Sequence, residues 1–378
     1  MSHPNDKSPE TNSPPHPPPT EPKKARLSSK EKPAPAVCDS PDMKDATAEK
    51  AKSGKLPARN VSHACNQQDA EQCLQRVSSA KRRAFVRVFD YGATAEQGNR
   101  RTMEDQHIML AEGIPFFGVY DGHGGTACAE YLRDNLHTWI LSHAEVRTNP
   151  EKAIFDSIVE ADRKFLSETD ETSNESGCVC AVVLVLEDKL VIGNVGDTEA
   201  ILCRSGKPIL LTTKHNLSSN PDELERVRGV GGRIFQNRVG HPKFNPSVIS
   251  LAVTRAIGDA GYKLDEYTDG KPSGVIAEPS TKTVQLTNED EYVVIGCDGL
   301  WDVMTYEDVT KFCCERLKSN QNAQSVAEEL VRAALNNGSN DNVTAMLVRL
   351  NRGVNRNSHE FLPEAAVSTS SRNLTDYS

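Results

Sequence analysis

The sequence predicts an α+β protein in which helices cover two mainly antiparallel β-sheets. Short apolar runs dominate the chain after Phe85, and several are too short for helices. Strand patterns follow one another from about 179 to 212 without an intervening helix, which favours antiparallel pairing. Two pairs of helical patterns, at 126–166 and 306–336, are separate from those strands and can cover the sheets.

Each predicted strand is a short apolar run bounded by turn residues. The strands are predicted at 85–89, 106–110, 115–121, 179–186, 190–195, 200–204, 247–253, 282–286, 292–297 and 342–350. Asn149-Pro150 and Asn220-Pro221 are helix start signals, an N-cap followed by proline. The clearest helix is Ala323–Asn336, whose apolar residues form one stripe. Further helices are predicted at 126–143 and 306–318.

Composition divides the chain into three parts. Twelve of the 21 prolines lie between Pro4 and Pro57, and every aromatic residue lies at Phe85 or later. Such a segment cannot bury enough apolar surface to offset its ordering entropy, so residues 1–80 are predicted to be a disordered tail. Residues 85–350 are predicted to form one domain. Residues 351–378, rich in Ser, Asn and Thr, are predicted to be a flexible tail.

Charge and hydropathy exclude several classes of function. The formal charge of −9 argues against a nucleic-acid binder. No window approaches the roughly 20 apolar residues of a membrane span, and no secretory leader is visible. A cytoplasmic protein is expected, and the basic cluster Lys23, Lys24 and Arg26 raises nuclear import as a second location.

The ten cysteines are predicted to be reduced thiols, not a disulfide framework. Cys178 with Cys180, and Cys313 with Cys314, lie in apolar segments. They lack the CxxC spacing of a zinc site, so no zinc is expected.

Four aspartates lie at the ends of predicted strands. Asp121, Asp197 and Asp298 each follow an apolar run, and Asp341 precedes the last one. An isolated Asp-Gly is most often a structural turn. If the strands are neighbours, however, the acids converge and metal ions must offset their repulsion. Oxygen-only ligands select Mg²⁺ or Mn²⁺.

Other residues near these acids fit phosphoester hydrolysis. Two ions about 3.5 to 4 Å apart can share a carboxylate and activate a water. Arg100 and Arg101 are candidates for the cation that binds phosphate oxygens. His123, two residues after Asp121, is a candidate proton donor to the leaving oxygen, with a turn histidine as the alternative interpretation.

Five ordered segments resemble the motifs of the metal-dependent protein phosphatases of type 2C. They are Gly98–Asp105, Val119–Gly125, Thr254–Asp259, Cys297–Val303 and Gly338–Thr344. The resemblance implies an αββα sandwich with two Mg²⁺ or Mn²⁺ ions per subunit. It also implies a monomer that dephosphorylates phosphoserine and phosphothreonine in protein substrates.

The resemblance also implies a role for each residue that matches a motif. Asp121 would bridge both metals, and the Gly122 carbonyl would bind the first. Asp298 and Asp341 would bind the second metal, and Asp197 with Asp298 a weaker third one.

Four further roles follow from the same motifs. Arg100 would bind the phosphate, and His123 would protonate the leaving oxygen after direct attack by a metal-bridging hydroxide. Glu104 and Asp105 would orient metal-bound waters, and Asp259 would be structural. Residues 215–246 fall where the family has its flap.

Two segments depart from the family pattern. Gly196-Asp197-Thr198-Glu199 stands where Gly-Asp-Ser-Arg is usual, so an anion replaces a cation. Cys178-Val179-Cys180 lacks a usual hydroxyl, which favours a packing change. Two alternatives stay open: an inactive relative that acts as a binding or scaffold module, and a nucleotide-binding glycine loop at 121–125, which lacks the known nucleotide-loop spacings.

Overall fold

The computed structural model describes residues 86–168 and 175–352. The tail predicted at 1–80, with the basic cluster Lys23, Lys24 and Arg26, lies outside the described residues, as does 353–378. No helix within the described ranges is both long enough and apolar enough to cross a membrane.

Two antiparallel sheets form the centre of the domain. The first has the spatial order β1–β14–β13–β6–β7. Its strands are β1 (Val86–Glu96), β6 (Glu199–Arg204), β7 (Lys207–Leu210), β13 (Asp290–Gly296) and β14 (Val343–Arg352). The second has the order β12–β5–β4–β3–β2, and β11 also pairs with β4. Its strands are β2 (Gln106–Leu110), β3 (Phe116–His123), β4 (Gly177–Leu186), β5 (Lys189–Val195), β11 (Ile257–Gly258) and β12 (Ser280–Gln285).

Eight helices accompany the sheets in the described ranges. They are α1 (Ala127–Ser142), α2 (Pro150–Glu168), α3 (Pro221–Gly229), α4 (Ala260–Lys263), α5 (Asp265–Thr268), α6 (Asp298–Trp301), α7 (Tyr306–Lys318) and α8 (Ala323–Asn336). The predicted start signals hold where they are tested, since the Asn220 side chain accepts a hydrogen bond from the Glu223 N–H. Asn322 caps α8 in the same way through the Ser325 N–H.

Alternating side chains separate three apolar layers. Phe116 packs under α1 and α2, whereas its neighbour Phe117 lies between the two sheets. In β13, Val293 lies between the sheets and Val294 packs towards α7 and α8. This period of two confirms the predicted α+β architecture with an αββα order of layers.

Two predicted strands differ from the structure in length by more than a few residues. β1 continues to Glu96 because a bulge between Val88 and Asp90 interrupts the alternation that the pattern relies on. At Gly92 the backbone of Gln324 in α8 approaches so closely that a Cβ would collide with it. The strand predicted at 247–253 was wrong in extent, since a strand forms only at Ser250–Leu251 (β10), with a single further bridge from Val253 to Asn216.

The region of the predicted flap has a small core of its own. β8 (Arg233–Phe235), β9 (Arg238–Gly240) and β10 form a three-stranded sheet. Buried apolar side chains hold it against α3 and the segment that follows; they are Leu217, Val227, Val239, Tyr262 and Val275. The unit therefore extends beyond the predicted end at residue 246, to about Val275.

Candidate active site

One cleft of about 430 Å³ gathers most of the predicted site residues. Its lining includes the predicted residues Arg100, Glu104, Asp121, Gly122, His123, Asp197, Asp298 and Asp341. The flap contributes Arg238 and the strand segment around Leu251. Arg101 is exposed and is not among the lining residues, so Arg100 is the better candidate of the two.

The sheets bring the four aspartates together from distant parts of the sequence. Asp121 lies within β3, where it pairs with Val179 of β4. Asp197 follows β5, and Asp298 begins the short helix α6 directly after β13. Asp341 precedes β14, which is the neighbour of β13 in the sheet. Convergence therefore depends on strand pairing that the linear pattern did not establish.

Burial and mutual repulsion raise the pKa values of three of these carboxyls, those of Asp121, Asp197 and Asp298. Burial raises the pKa of Asp121 well above its usual range, and the charges of Asp105 and Asp298 add to the effect. Burial and the neighbouring Asp197 raise the pKa of Asp298 to about 7. Burial also raises the pKa of Asp197 to about 6, although Lys214 opposes the shift. The cleft thus holds more negative charge than its protein partners balance.

Asp105 lies deeper than the other acids, and its exposed fraction is 3%. Its carboxylate accepts a hydrogen bond of 2.6 Å from the Thr344 hydroxyl. One ligand atom each from Asp105, Asp121 and Cys297 lies within 4.8 Å of the others. Asp105 therefore lies on the buried side of Asp121 and can help to hold that carboxylate in position. Cys297 is fully buried, as a core residue is expected to be.

His123 is held in place by Asp259, a residue that was predicted to be structural. Its Nε2 lies 3.0 Å from both carboxylate oxygens of Asp259. Burial alone disfavours the charged ring, but Asp259 outweighs it, so the pKa of His123 is raised. A Cβ at Gly177 would collide with both partners, so only glycine leaves room for the pair. Asp259 thus acts on the site through His123.

The loop before β2 carries the predicted phosphate-binding arginine. Arg100 Nη2 lies 2.5 Å from an Asp341 carboxylate oxygen, so the guanidinium is held at the cleft by a predicted metal ligand. Glu104 accepts a hydrogen bond of 2.8 Å from the Thr102 hydroxyl. Both predicted residues therefore lie on one short segment at the cleft.

Asn342 is a site residue that sequence analysis missed. Its Oδ1 accepts from the Glu104 N–H at 2.8 Å, and its Nδ2 donates to the Gln97 and Thr102 carbonyls. These three bonds fasten the Arg100 loop to the start of β14. Asn342 lies beside Asp341 in the last motif, but an amide next to an acid gave no signal of this role.

The two departures from the family pattern have identifiable surroundings. Glu199 is buried, its carboxylate lies 3.4 Å from Lys214 Nζ, and it accepts a 2.7 Å hydrogen bond from the Tyr306 hydroxyl. Lys214 therefore provides a cation next to the anion at 199. Cys178 and Cys180 are fully buried in the layer under α1 and α2, which agrees with a packing change.

The donor set fits hard divalent cations. The cleft presents carboxylate oxygens from several elements, and the charges that most affect Asp121 and Asp298 are other carboxylates. Mg²⁺ and Mn²⁺ prefer such oxygen ligands. A cation placed among these oxygens would lower the pKa values that burial and repulsion raise.

Sequence comparisons agree with this geometry. The family model "Protein phosphatase 2C" matches residues 89–343. The chain is 33% identical over 320 residues to "Probable protein phosphatase 2C 54" of Oryza sativa subsp. japonica, covering 80% of this chain and 84% of that one. It is 32% identical over 282 residues to "Probable protein phosphatase 2C 22" of Arabidopsis thaliana, covering 70% of each.

Solved structures show the same fold. The serine-threonine phosphatase 2C of Toxoplasma gondii superposes with a TM-score of 0.60 at 20% identity, covering 70% of this chain and 95% of that one. A sex determining protein of C. elegans gives a TM-score of 0.57 at 20% identity, covering 75% and 70%. The motifs, the fold and the family match lead to one conclusion: the chain belongs to the protein phosphatase 2C family, whose members are metal-dependent protein phosphatases.

Proposed function

We propose that the chain hydrolyses phosphoserine and phosphothreonine in protein substrates at the cleft around Asp121. Family membership already indicates a metal-dependent protein phosphatase. The observation that carries the finer proposal is the convergence of four aspartates beside Arg100 and His123; they are Asp121, Asp197, Asp298 and Asp341. The pKa values of three of them, Asp121, Asp197 and Asp298, are raised.

The residues that would hold Mg²⁺ or Mn²⁺ are those of the shared motifs. Asp121 and the Gly122 carbonyl would serve one ion, Asp298 and Asp341 the other, and Asp121 would serve both. Asp197, with Asp298, is proposed for a weaker third ion. When bound, the ions would supply positive charge for the phosphoryl oxygens and lower the pKa of a water towards neutrality.

Arg100 is proposed to bind the substrate phosphate. A guanidinium has five N–H donors, so its bond to Asp341 leaves donors for phosphate oxygens. The same bond fixes the position of Arg100 before substrate arrives, which reduces the entropy lost on binding.

His123 is proposed to donate a proton to the leaving seryl or threonyl oxygen. Because Asp259 occupies Nε2, the transfer falls to Nδ1. The raised pKa keeps the ring protonated at higher pH than a free histidine would be, as a general acid requires.

The flap is proposed to contribute to substrate selection. Arg238 lies on β9, directly after a two-residue hairpin turn at Gln236 and Asn237 with positive φ values, and the side chain lines the cleft. Its guanidinium donates to the hydroxyl and carbonyl oxygens of Ser250. We propose that the flap contacts the substrate polypeptide and that the chain acts as a monomer.

The proposal is tested by phosphate release from a phosphothreonine peptide with Mn²⁺, Mg²⁺ or EDTA. Release should require a metal and should be lost in Asp121→Asn. Asp156→Asn is the matched control, since Asp156 pairs with Lys152 on the outer surface of α2. Folded protein that releases no phosphate at any metal concentration would favour the scaffold alternative instead.

A further inference from the structure

A second cluster of ligand-type side chains lies at the far end of strand β6. β6 begins at Glu199 near the acid cleft, and Cys203 is four residues further along, about 13 Å away at the usual strand rise. One ligand atom each from Cys203, Glu291 and Cys314 lies within 4.8 Å of the other two. None of the three lines the acid cleft.

Tertiary structure, not sequence spacing, brings these residues together. Cys203 is the antiparallel partner of Tyr292 in β13, and a bulge between Asp290 and Tyr292 contains Glu291. A bulge places two residues opposite one, which re-aims the side chain of the extra residue. Cys314 belongs to α7, which packs over this face of the sheet. A search for CxxC pairs could not have found such a cluster.

The distance between the two sulfurs is short enough for them to share one ligand. Cys203 Sγ and Cys314 Sγ are 4.0 Å apart. A disulfide requires about 2.05 Å, so the two sulfurs are not bonded to each other. Two thiolates bound at about 2.3 Å to one tetrahedral zinc ion lie about 3.8 Å apart. The observed separation therefore matches a shared metal ion.

We infer that Cys203, Cys314 and Glu291 bind one thiophilic divalent cation of the Zn²⁺ class, with water as a fourth ligand. Two thiolates and one carboxylate offer a charge of −3, and binding would release the two thiol protons. Sulfur ligands exclude Mg²⁺, so this site and the acid cleft would select different ions. The inference is independent of the proposed function.

The surroundings supply an entry path and an outer partner. A cleft of about 300 Å³ is lined by Glu291, Tyr292 and Cys314. The Tyr292 hydroxyl lies 3.2 Å from Cys314 Sγ and donates to the Thr310 carbonyl. On deprotonation of Cys314 the hydroxyl can donate to the thiolate instead, as partners of metal ligands commonly do.

Two basic side chains also line this cleft. Arg349 is paired with Asp90 at 3.1 Å and stacks over the Phe89 ring, so its charge is already partnered. Lys318 ends α7 and opposes cation entry. The sulfur ligands therefore have to provide the affinity.

The probe is Cd²⁺, whose bonds to thiolates give an ultraviolet charge-transfer band. The protein is the full-length chain with Cys38, Cys65 and Cys73 replaced by serine, in saturating Mg²⁺. We expect one equivalent of Cd²⁺ to produce the band and to raise the thermal midpoint. Cys314→Ala should remove both effects, and Glu291→Gln should weaken binding roughly tenfold.

Cys313→Ala is the matched control, since Cys313 is the adjacent cysteine and is fully buried in the core. It should keep the one-equivalent band. Absence of a band in the parent protein would overturn the inference, as would an unchanged band in Cys314→Ala. If Cys314→Ala proves unfolded, Glu291→Gln decides the question, because an unaltered affinity there rejects the three-residue site.

Discussion

The acids of the cleft and Glu223 of the flap are all poorly exposed, but their pKa values shift in opposite directions. In the cleft, burial and other carboxylates raise the pKa of Asp121 and Asp298. In the flap, Glu223 is buried to an exposed fraction of 2%. Burial acts to raise its pKa as well, but hydrogen bonds from Arg226 and Arg255 hold it well below its usual range.

The contrast separates an acid that serves the fold from one that is available to a ligand. The Glu223 carboxylate accepts hydrogen bonds from two arginines and from the Thr254 hydroxyl. These bonds join α3 to the segment that leads to Asp259. Its charge is balanced within the chain. The charge at Asp298 is not balanced, and a group with this imbalance in a cleft indicates a functional site.

Asp298→Asn should have the largest effect on activity. Removing a proposed metal ligand should lower kcat by about 10³-fold or more, because the amide cannot replace the carboxylate charge. The measurement is phosphopeptide turnover in excess Mn²⁺, and turnover like that of the unmodified protein would contradict the assignment.

The same variant should be more stable than the parent in EDTA. A carboxyl with a raised pKa favours folding less as pH rises from about 4 through about 7, because the charged form is disfavoured in the folded state. The asparagine lacks this penalty, so its thermal midpoint at pH 8 should be higher. A lower midpoint would mean that Asp298 serves the fold.

Glu223→Gln should destabilise the protein, whereas Asp298→Asn should stabilise it in EDTA. It leaves Arg226 and Arg255 without their carboxylate, which should lower the free energy of unfolding by about 3 kcal/mol. Chemical denaturation measures it, and Glu225→Gln, exposed on the same helix, is the control.

The pH dependence of that effect follows from the depressed pKa. Stability from a depressed carboxyl is present above the unfolded pKa and is lost as pH falls through the folded one. The difference between the parent and Glu223→Gln should therefore shrink as pH falls below about 4. A difference that is constant with pH would remove the electrostatic explanation.

His123→Ala should lower phosphopeptide hydrolysis by about 10²-fold, and aryl phosphate hydrolysis less, since an aryl leaving group needs less protonation. Asp259→Asn should act through the same ring. It removes the interaction that raises the pKa of His123, so the alkaline limb of kcat/KM should move to lower pH. If His123→Ala loses activity equally on the phosphopeptide and on the aryl phosphate, the general-acid role of His123 is contradicted.

The sequence pattern predicts the layers of the fold because alternation and helical stripes are local signals. It also gave the candidate acids, since strand-end aspartates and their motifs are visible in the chain. It could not show that Asp121, Asp197 and Asp298 converge, because Asp121 and Asp197 are brought together by the pairing of β3, β4 and β5 in the second sheet, and Asp298 follows β13 of the first sheet. It missed β7 and ended β1 too early, where a bulge breaks the alternation.

Residues that act through a side-chain contact were the hardest to predict. Asn342 makes three bonds to backbone groups more than 200 positions away in sequence, and no local pattern encodes them. Asp259 was expected to be structural, yet its carboxylate contacts His123. The Glu199 departure was visible, but the cation that faces it, Lys214, became evident only in three dimensions.

Lys214→Met should give the smallest effect, because it alters the cleft charge without touching a proposed ligand. Lys214 Nζ lies 3.4 Å from Glu199 and 3.8 Å from Asp302, and its charge lowers the pKa of Asp197. Removing one positive charge near the acids should make divalent cations bind more tightly. The Mn²⁺ concentration for half-maximal activity should fall about two- to fivefold, in keeping with a partly screened charge.

Lys207→Met, at an exposed lysine on β7, is the control and should leave that concentration unchanged. If Lys214→Met instead requires more Mn²⁺, then Lys214 chiefly keeps Glu199 in place, and the anion at position 199 disturbs the metal site once its partner is lost.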